Sequence, residues 1–146
     1  DIVITEADLD NLIRAKAAMY AGIATLLEAV GLSPNDLNHI VIAGGFGGSI
    51  DLNRAIQIGL FPDVDRDNFV YIGNGPLLGA RLISFSNEMI DDGERIAKMM
   101  TNIELADNVK FTEEYISAQF LPHTNTKLFP SIQRELEEKK RDKAVE

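Results

Sequence analysis

Apolar residues recur at steps of three and four along "ITEADLDNLIRAKAAMYAGIATLLEAVG", residues 4–31. Leu9, Ile13, Tyr20, Ile23, Leu27 and Val30 form one stripe, the signature of an amphipathic helix. Thr5 is placed to cap it, with Glu6 and Asp8 in the first turn, and Gly31 to end it. Ser33-Pro34 then opens a short turn. Lys16 is out of place, three residues after Ile13 and four before Tyr20, in the middle of the stripe. An ammonium there must be paired or must reach water, and snorkelling to a wet edge is the simplest expectation. The alternative is a helix that borders a ligand cleft, with Lys16 meeting a phosphate or an acid.

Further on the pattern changes. "HIVIA" (39–43) and "NFVYIG" (68–73) read as short buried strands, and "IELA" (103–106) as an edge strand. Helices are expected from Asp51 to Leu60, stopped by Pro62, then over 74–90, 91–103 and 112–121. Gly75, Gly79 and Ala80 leave one side of the 74–90 helix nearly bare, so that something packs close there. The end, "QRELEEKKRDKAVE", is a charged helical or disordered tail at 133–146, set apart from a domain at 1–132. Strands alternating with helices predict an α/β fold, a short and mostly parallel sheet flanked by helices. Three short strands make a thin sheet, and the chain enters a helix almost at once from Asp1, as a piece of something longer would.

Composition removes several functions. The net charge is −9, and the last fourteen residues hold five acids and five bases, so the body carries the whole excess. Such a body is a poor nucleic-acid partner, and any anion site must be built from main-chain amides and dipoles. No cysteine occurs, which excludes disulfides and thiolate-held metals within this chain and fits a reducing, cytoplasmic setting. His39 and His123 are far apart in sequence, with no carboxylate or serine at a telling spacing, and neither reads as catalytic. No membrane span is expected, since Phe69–Ile90 is broken by Asn74, Arg81, Asn87 and Glu88. "DVDRDN" (63–68) starts like a calcium loop but has Asn68 and Asn74 where glycine and glutamate belong; it reads as a solvated turn. No metal site is expected.

The chemistry concentrates in "IVIAGGFGGS", 40–49, where a strand runs into glycines and then a helix. Such a turn aims amides and a dipole at one spot and lets a ligand touch bare main chain. A P-loop would need a lysine where Ile50 follows Gly47-Gly48-Ser49. A dinucleotide fingerprint on Gly45-x-Gly47 would place its third small residue on Ile50, and Ile72-Gly73-Asn74 supplies no acid for a ribose. A protein-kinase loop would be followed by a strand lysine, which is missing.

The stretch resembles the adenosine motif of the actin-like ATPase superfamily, which includes sugar kinases, heat-shock chaperones and actin. "RAKAAMYAGIATLLEAVGL", "IVIAGGFG", "YIGNGPLLGA" and "FLPH…LFPSI" resemble, in that order, one branch of it. That branch is the ATP-dependent reductive activators of corrinoid proteins, and the likeness covers nearly all of residues 4–132. It implies part of a ribonuclease H-like, actin-like ATPase lobe. It also implies ATP with Mg2+ as ligand, an iron–sulfur cluster in a separate N-terminal part, and a corrinoid protein or corrinoid methyltransferase as partner. The activity it implies is reduction of Co(II) to Co(I), which restores the methyl-accepting state. Carried onto this chain, nucleotide contact falls to Gly44, Gly45, Phe46, Gly47 and Gly48, with Lys16 at the cleft and Asn74 and Gly75 opening a second turn. Read from the residues alone, Asn74 is first of all a helix cap, with a polar contact in the cleft as the alternative. No residue here is expected to be catalytic, because the aspartate-bearing phosphate hairpin of that fold lies outside the chain. Rival readings are an activator of another low-potential enzyme, such as an acyl-CoA dehydratase, a sugar-kinase lobe, or a non-catalytic docking module with an acidic face.

Overall fold

A computed structural model of the chain describes residues 2–45 and 47–143. Helix α1 runs over Glu6–Ala29, and Thr5 and Asp8 cap it reciprocally. The Thr5 hydroxyl accepts from the Asp8 N–H at 3.3 Å, and the Asp8 carboxylate accepts from the Thr5 N–H at 2.9 Å. Gly31, at φ +70°, follows the C-cap Val30. Strand β1 is Ile40–Ala43, helix α2 Leu52–Gln57 and strand β2 Phe69–Gly73. Helices α3 (Gly75–Phe85), α4 (Asn87–Met99), α5 (Val109–Ser117) and α6 (Pro130–Lys143) complete the order.

β1 and β2 pair in parallel with α2 as their crossover. Ile40, Val41 and Ile42 face Phe69, Val70 and Tyr71, and then the register slips so that Ala43 faces Gly73. Ile72 is the extra residue, a bulge at the end where the two strands deliver their turns. The fold is mostly helical, and "IELA" is not a strand; residues 101–108 form an irregular connection after α4.

Two expected helices are cut differently. α2 stops after six residues, because Gly59 takes φ +78° and donates its N–H to Ile56 O at 2.9 Å; Pro62 comes too late to end it. The expected 74–90 helix breaks at Ser86, whose extended backbone (φ −153°, ψ 130°) separates α3 from α4. The charged tail is helical through Lys143 as part of α6 and is anchored by buried Ile132.

One core joins these elements. Ala17 and Tyr20 of α1 meet Ala55 and Ile56 of α2, with Phe61, Val64, Phe69, Ala118, Phe129 and Ile132 around them. The Tyr20 ring lies 5.5 Å from that of Phe129 and 5.3 Å from the imidazole of His123. The buried face of α1 is therefore centred on Lys16, Ala17, Tyr20, Ala21 and Thr25, while Leu9 and Val30 of the expected stripe are exposed. α5 packs along α1, and α3 along α4.

The loop before β2 is solvated only in part, at Asp65 and Asp67. Asp63 is buried and holds the start of α6: its Oδ2 accepts from Ser131 N–H and its Oδ1 from Ser131 Oγ, both at 2.7 Å. Arg66 completes the knot, 2.7 Å from Asp63 Oδ1 and 2.9 Å from Ser131 Oγ. Elsewhere apolar surface stays bare. Val41, Val70, Tyr71 and Ile72 of the sheet and Leu77, Leu82, Phe85, Ile96 and Met99 of α3 and α4 are all exposed. Parallel sheets are ordinarily covered on both faces, and a free monomer seldom shows so much contiguous apolar area.

Candidate functional site

The carboxyl ends of β1 and β2 lie side by side, the place where open parallel sheets take ligands. Each strand ends in a left-handed glycine, Gly44 at φ +110° and Gly73 at φ +64°. The two turns are tied together, since Gly44 N–H donates to Gly73 O at 2.7 Å. After Gly44 the chain tightens through a 3-10 turn at Gly47–Ser49, with Gly47 N–H donating to Gly44 O at 3.3 Å. Asp51 then caps α2, its Oδ1 accepting from Arg54 N–H at 3.0 Å.

The glycines of these turns divide into two kinds. Among the described residues, a Cβ on Gly44, Gly45, Gly48 or Gly73 would meet no atom within 4 Å, so these four present bare main chain to open space. Gly47 faces inward: a Cβ there would lie 2.8 Å from Ile42 Cγ2, so glycine is needed for packing. Gly75 is of the second kind, its Cβ position 3.3 Å from that of Ala43, where α3 leans on β1. The close approach expected along α3 thus occurs at Gly75, while Gly79 has nothing within 4 Å. Asn74 acts as the cap of α3, its Oδ1 accepting from Leu77 N–H at 3.0 Å. Phe46 lies outside the described residues. No cationic side chain belongs to 44–50 or 73–75, so a ligand anion here would be met by main-chain amides.

Lys16 has two partners inside the fold. It does not snorkel: it is fully buried, and Nζ donates to the carbonyls of Phe120 and of Pro122, the latter at 2.8 Å. Both carbonyls follow the C-terminal end of α5, where the helix dipole favours a cation. Burial holds the ammonium down at a pKa of about 8.

Beside it is a pair that sequence spacing did not reveal. His123 Nδ1 accepts from Asn125 N–H at 2.9 Å, which leaves the proton on Nε2, 3.2 Å from Glu114 Oε1. Burial lowers the His123 pKa, partly offset by Glu114, and the Lys16 charge lowers it further. The Tyr20 hydroxyl is pushed up to about 12 by burial and by Glu114. The imidazole is buried against Tyr20 and Phe129, so this is a core network joining α1, α5 and the turn before α6.

A family model described as the C-terminal domain of RACo, the ASKHA domain, matches residues 1–133. The chain belongs to this family. Among its relatives within the ASKHA group, the corrinoid activation enzyme RamQ of Eubacterium limosum is 42% identical over 116 residues, 80% of this chain and 20% of that protein. The [Co(II) methylated amine-specific corrinoid protein] reductase of Methanosarcina barkeri is 29% identical over 117 residues, 79% of this chain and 22% of the relative. A solved reductive activator for corrinoid, iron–sulfur protein superposes with a TM-score of 0.82 at 48% identity, covering 90% of this chain and 21% of that one. The chain thus spans about one fifth of the length of each relative. These likenesses agree with the ASKHA lobe and the corrinoid-activator branch expected from the four quoted segments. No helix among the described residues is long and apolar enough to cross a membrane.

Proposed function

We propose that this ASKHA-family chain forms one wall of an ATP site in a reductive activator of corrinoid proteins. The observation that carries the reading is the paired, open glycine face of Gly44, Gly45, Gly48 and Gly73 at the ends of two parallel strands. Adenosine and the inner phosphate would lie along this main chain, where a Cβ would otherwise intrude. Asn74 and Gly75 would set the second turn, and Gly47 the packing beneath the first. Mg2+ would be held by the phosphates and by acids outside this chain.

When bound, ATP supplies free energy for an uphill electron transfer, Co(II) to Co(I), in a corrinoid protein. The electron would come from an iron–sulfur cluster on a separate domain, because this chain has no cysteine to ligate one. Its own part is to bind and orient the nucleotide and to close on it, so that occupancy of the cleft is felt by the rest of the protein. The named relatives favour corrinoid activation over an acyl-CoA dehydratase activator or a sugar kinase.

Calorimetric titration of MgATP into the protein at its natural length tests the reading. Saturable binding that requires magnesium is expected, together with ATP-dependent appearance of the Co(I) absorption band when reductant and a corrinoid protein are supplied. Absence of any binding would overturn it in favour of a non-catalytic docking module.

A further inference from the structure

Lys16 is a fully buried ammonium that the nucleotide reading leaves without a task. Burying a cation in a core is costly, and a methionine of similar length would pack the same space. What the ammonium adds is two hydrogen bonds, to Phe120 O and Pro122 O. The second carbonyl has another neighbour. Gly59 sits against it so closely that a Cβ at this position would lie 2.2 Å from Pro122 O and 2.9 Å from Pro122 C. Gly59 is the left-handed residue that ends α2. The other end of α2 is Asp51, two residues after the Gly47–Ser49 turn. Between them, Ala55 and Ile56 are locked into the core beside Ala17 of α1. α2 has six residues and spans roughly 9 Å at 1.5 Å per residue, too short to bend.

We infer that Lys16 is a positioning residue: by fixing Pro122 against Gly59 it seats α2 as a rigid strut, and so sets where the Gly47–Ser49 turn stands. A nitrogen donor is needed because two carbonyls beyond the end of α5 point at one spot, and a hydrocarbon would leave both without it. The strut runs Lys16, Pro122, Gly59, α2, glycine turn: the steps as far as Ala55 and Ile56 of α2 join buried groups, and the last is the main chain itself, through exposed Asp51 and half-buried Ile50. Its bearing on ligand affinity rests on the nucleotide reading; its bearing on the turn itself does not.

Hydrogen exchange on the nucleotide-free protein at its natural length decides the point. In Lys16→Met, amides of residues 47–58 exchange about tenfold faster than in an Ile132→Ala control matched for global stability, since the loss is local as well as global. Gly59→Ala, which pushes on Pro122 from the other side, loosens the same amides and serves if Lys16→Met does not fold. Calorimetry then shows MgATP binding about tenfold weaker in the Lys16 or Gly59 variant than in the control, because the turn is misplaced. Equal exchange at 47–58 in variant and control would overturn the inference and leave Lys16 a local fastening. If the parent protein binds no MgATP, the nucleotide reading falls while the exchange data still decide the strut.

Discussion

The main-chain N–H of Gly44 donates to the carbonyl of Gly73 at 2.7 Å, and this bond makes one surface out of two turns that are 29 positions apart in sequence. Gly44 at φ +110° occupies a conformation that a side chain tolerates poorly, and its neighbour Gly48 does not. Open and fold-required glycines can therefore be separated by mutation. A Cβ at Gly48 would meet no atom of the described residues within 4 Å, so Gly48→Leu starts into open space and stability should stay within about 0.5 kcal/mol of the parent. The leucine would occupy the space proposed for nucleotide, and MgATP affinity should fall at least about tenfold, roughly 1.4 kcal/mol. Thermal unfolding and calorimetry on the same sample check both halves.

Gly47→Ala should do the reverse. Its methyl would sit 2.8 Å from Ile42 Cγ2, in the packed underside of the turn. Overpacking of this kind costs about 1–3 kcal/mol. Urea unfolding should show that loss, and the affinity for nucleotide should change less than in Gly48→Leu once the protein is folded.

What was legible in the sequence was local. A strand, a run of glycines and a helix signal announce a βα turn without reference to the rest of the chain, and Thr5 and Asn74 cap the helices they precede. The misreadings are long-range. Lys16 looked like a surface-seeking side chain because its acceptors, Phe120 O and Pro122 O, are 104 and 106 positions away. Gly59 gave no sign of stopping α2, since its close neighbour is Pro122. Asp63 resembled part of a solvated turn because Ser131, its partner, is 68 residues downstream. "IELA" had strand composition but pairs with neither strand of the sheet, and the break at Ser86 was masked by an apolar pattern that continues across it.

The Asp63 knot predicts a stability effect remote from the glycine face. Its carboxylate, 2% exposed, accepts from Ser131 N–H, Ser131 Oγ and Arg66. Asp63→Ala leaves the Ser131 amide and the guanidinium without this acceptor, at a cost of roughly 2–3 kcal/mol. Asp63→Asn keeps one carbonyl acceptor and should lose less. The loss should appear first as fraying of α6, visible as faster amide exchange from Ser131 onward, before global unfolding in a urea series.

The buried ammonium gives stability a pH dependence of unusual sign. Burial lowers the Lys16 pKa from 10.5 to about 8. The folded chain therefore releases this proton near pH 8, while the unfolded chain keeps it until about 10.5. Between those values the unfolded state binds more protons, so stability climbs with pH; the gain is complete above the unfolded value and lost as pH falls through the folded one. The neutral amine still has two N–H groups for its two carbonyls, so the contact to Pro122 persists through the titration. Tyr20 works in the opposite direction at higher pH. Its pKa is raised from 10.0 to about 12, so the folded state holds a proton that the unfolded state gives up, and stability falls as pH rises above 10. The measurement is thus the difference between the parent and Lys16→Met in urea unfolding at pH 7.5, 8.5 and 9.5 (chosen to bracket the rise), which cancels groups common to both. The parent should gain on the variant steadily across this range. A difference flat in pH would mean that Lys16 titrates alike in the folded and unfolded chains, contrary to its burial in the core.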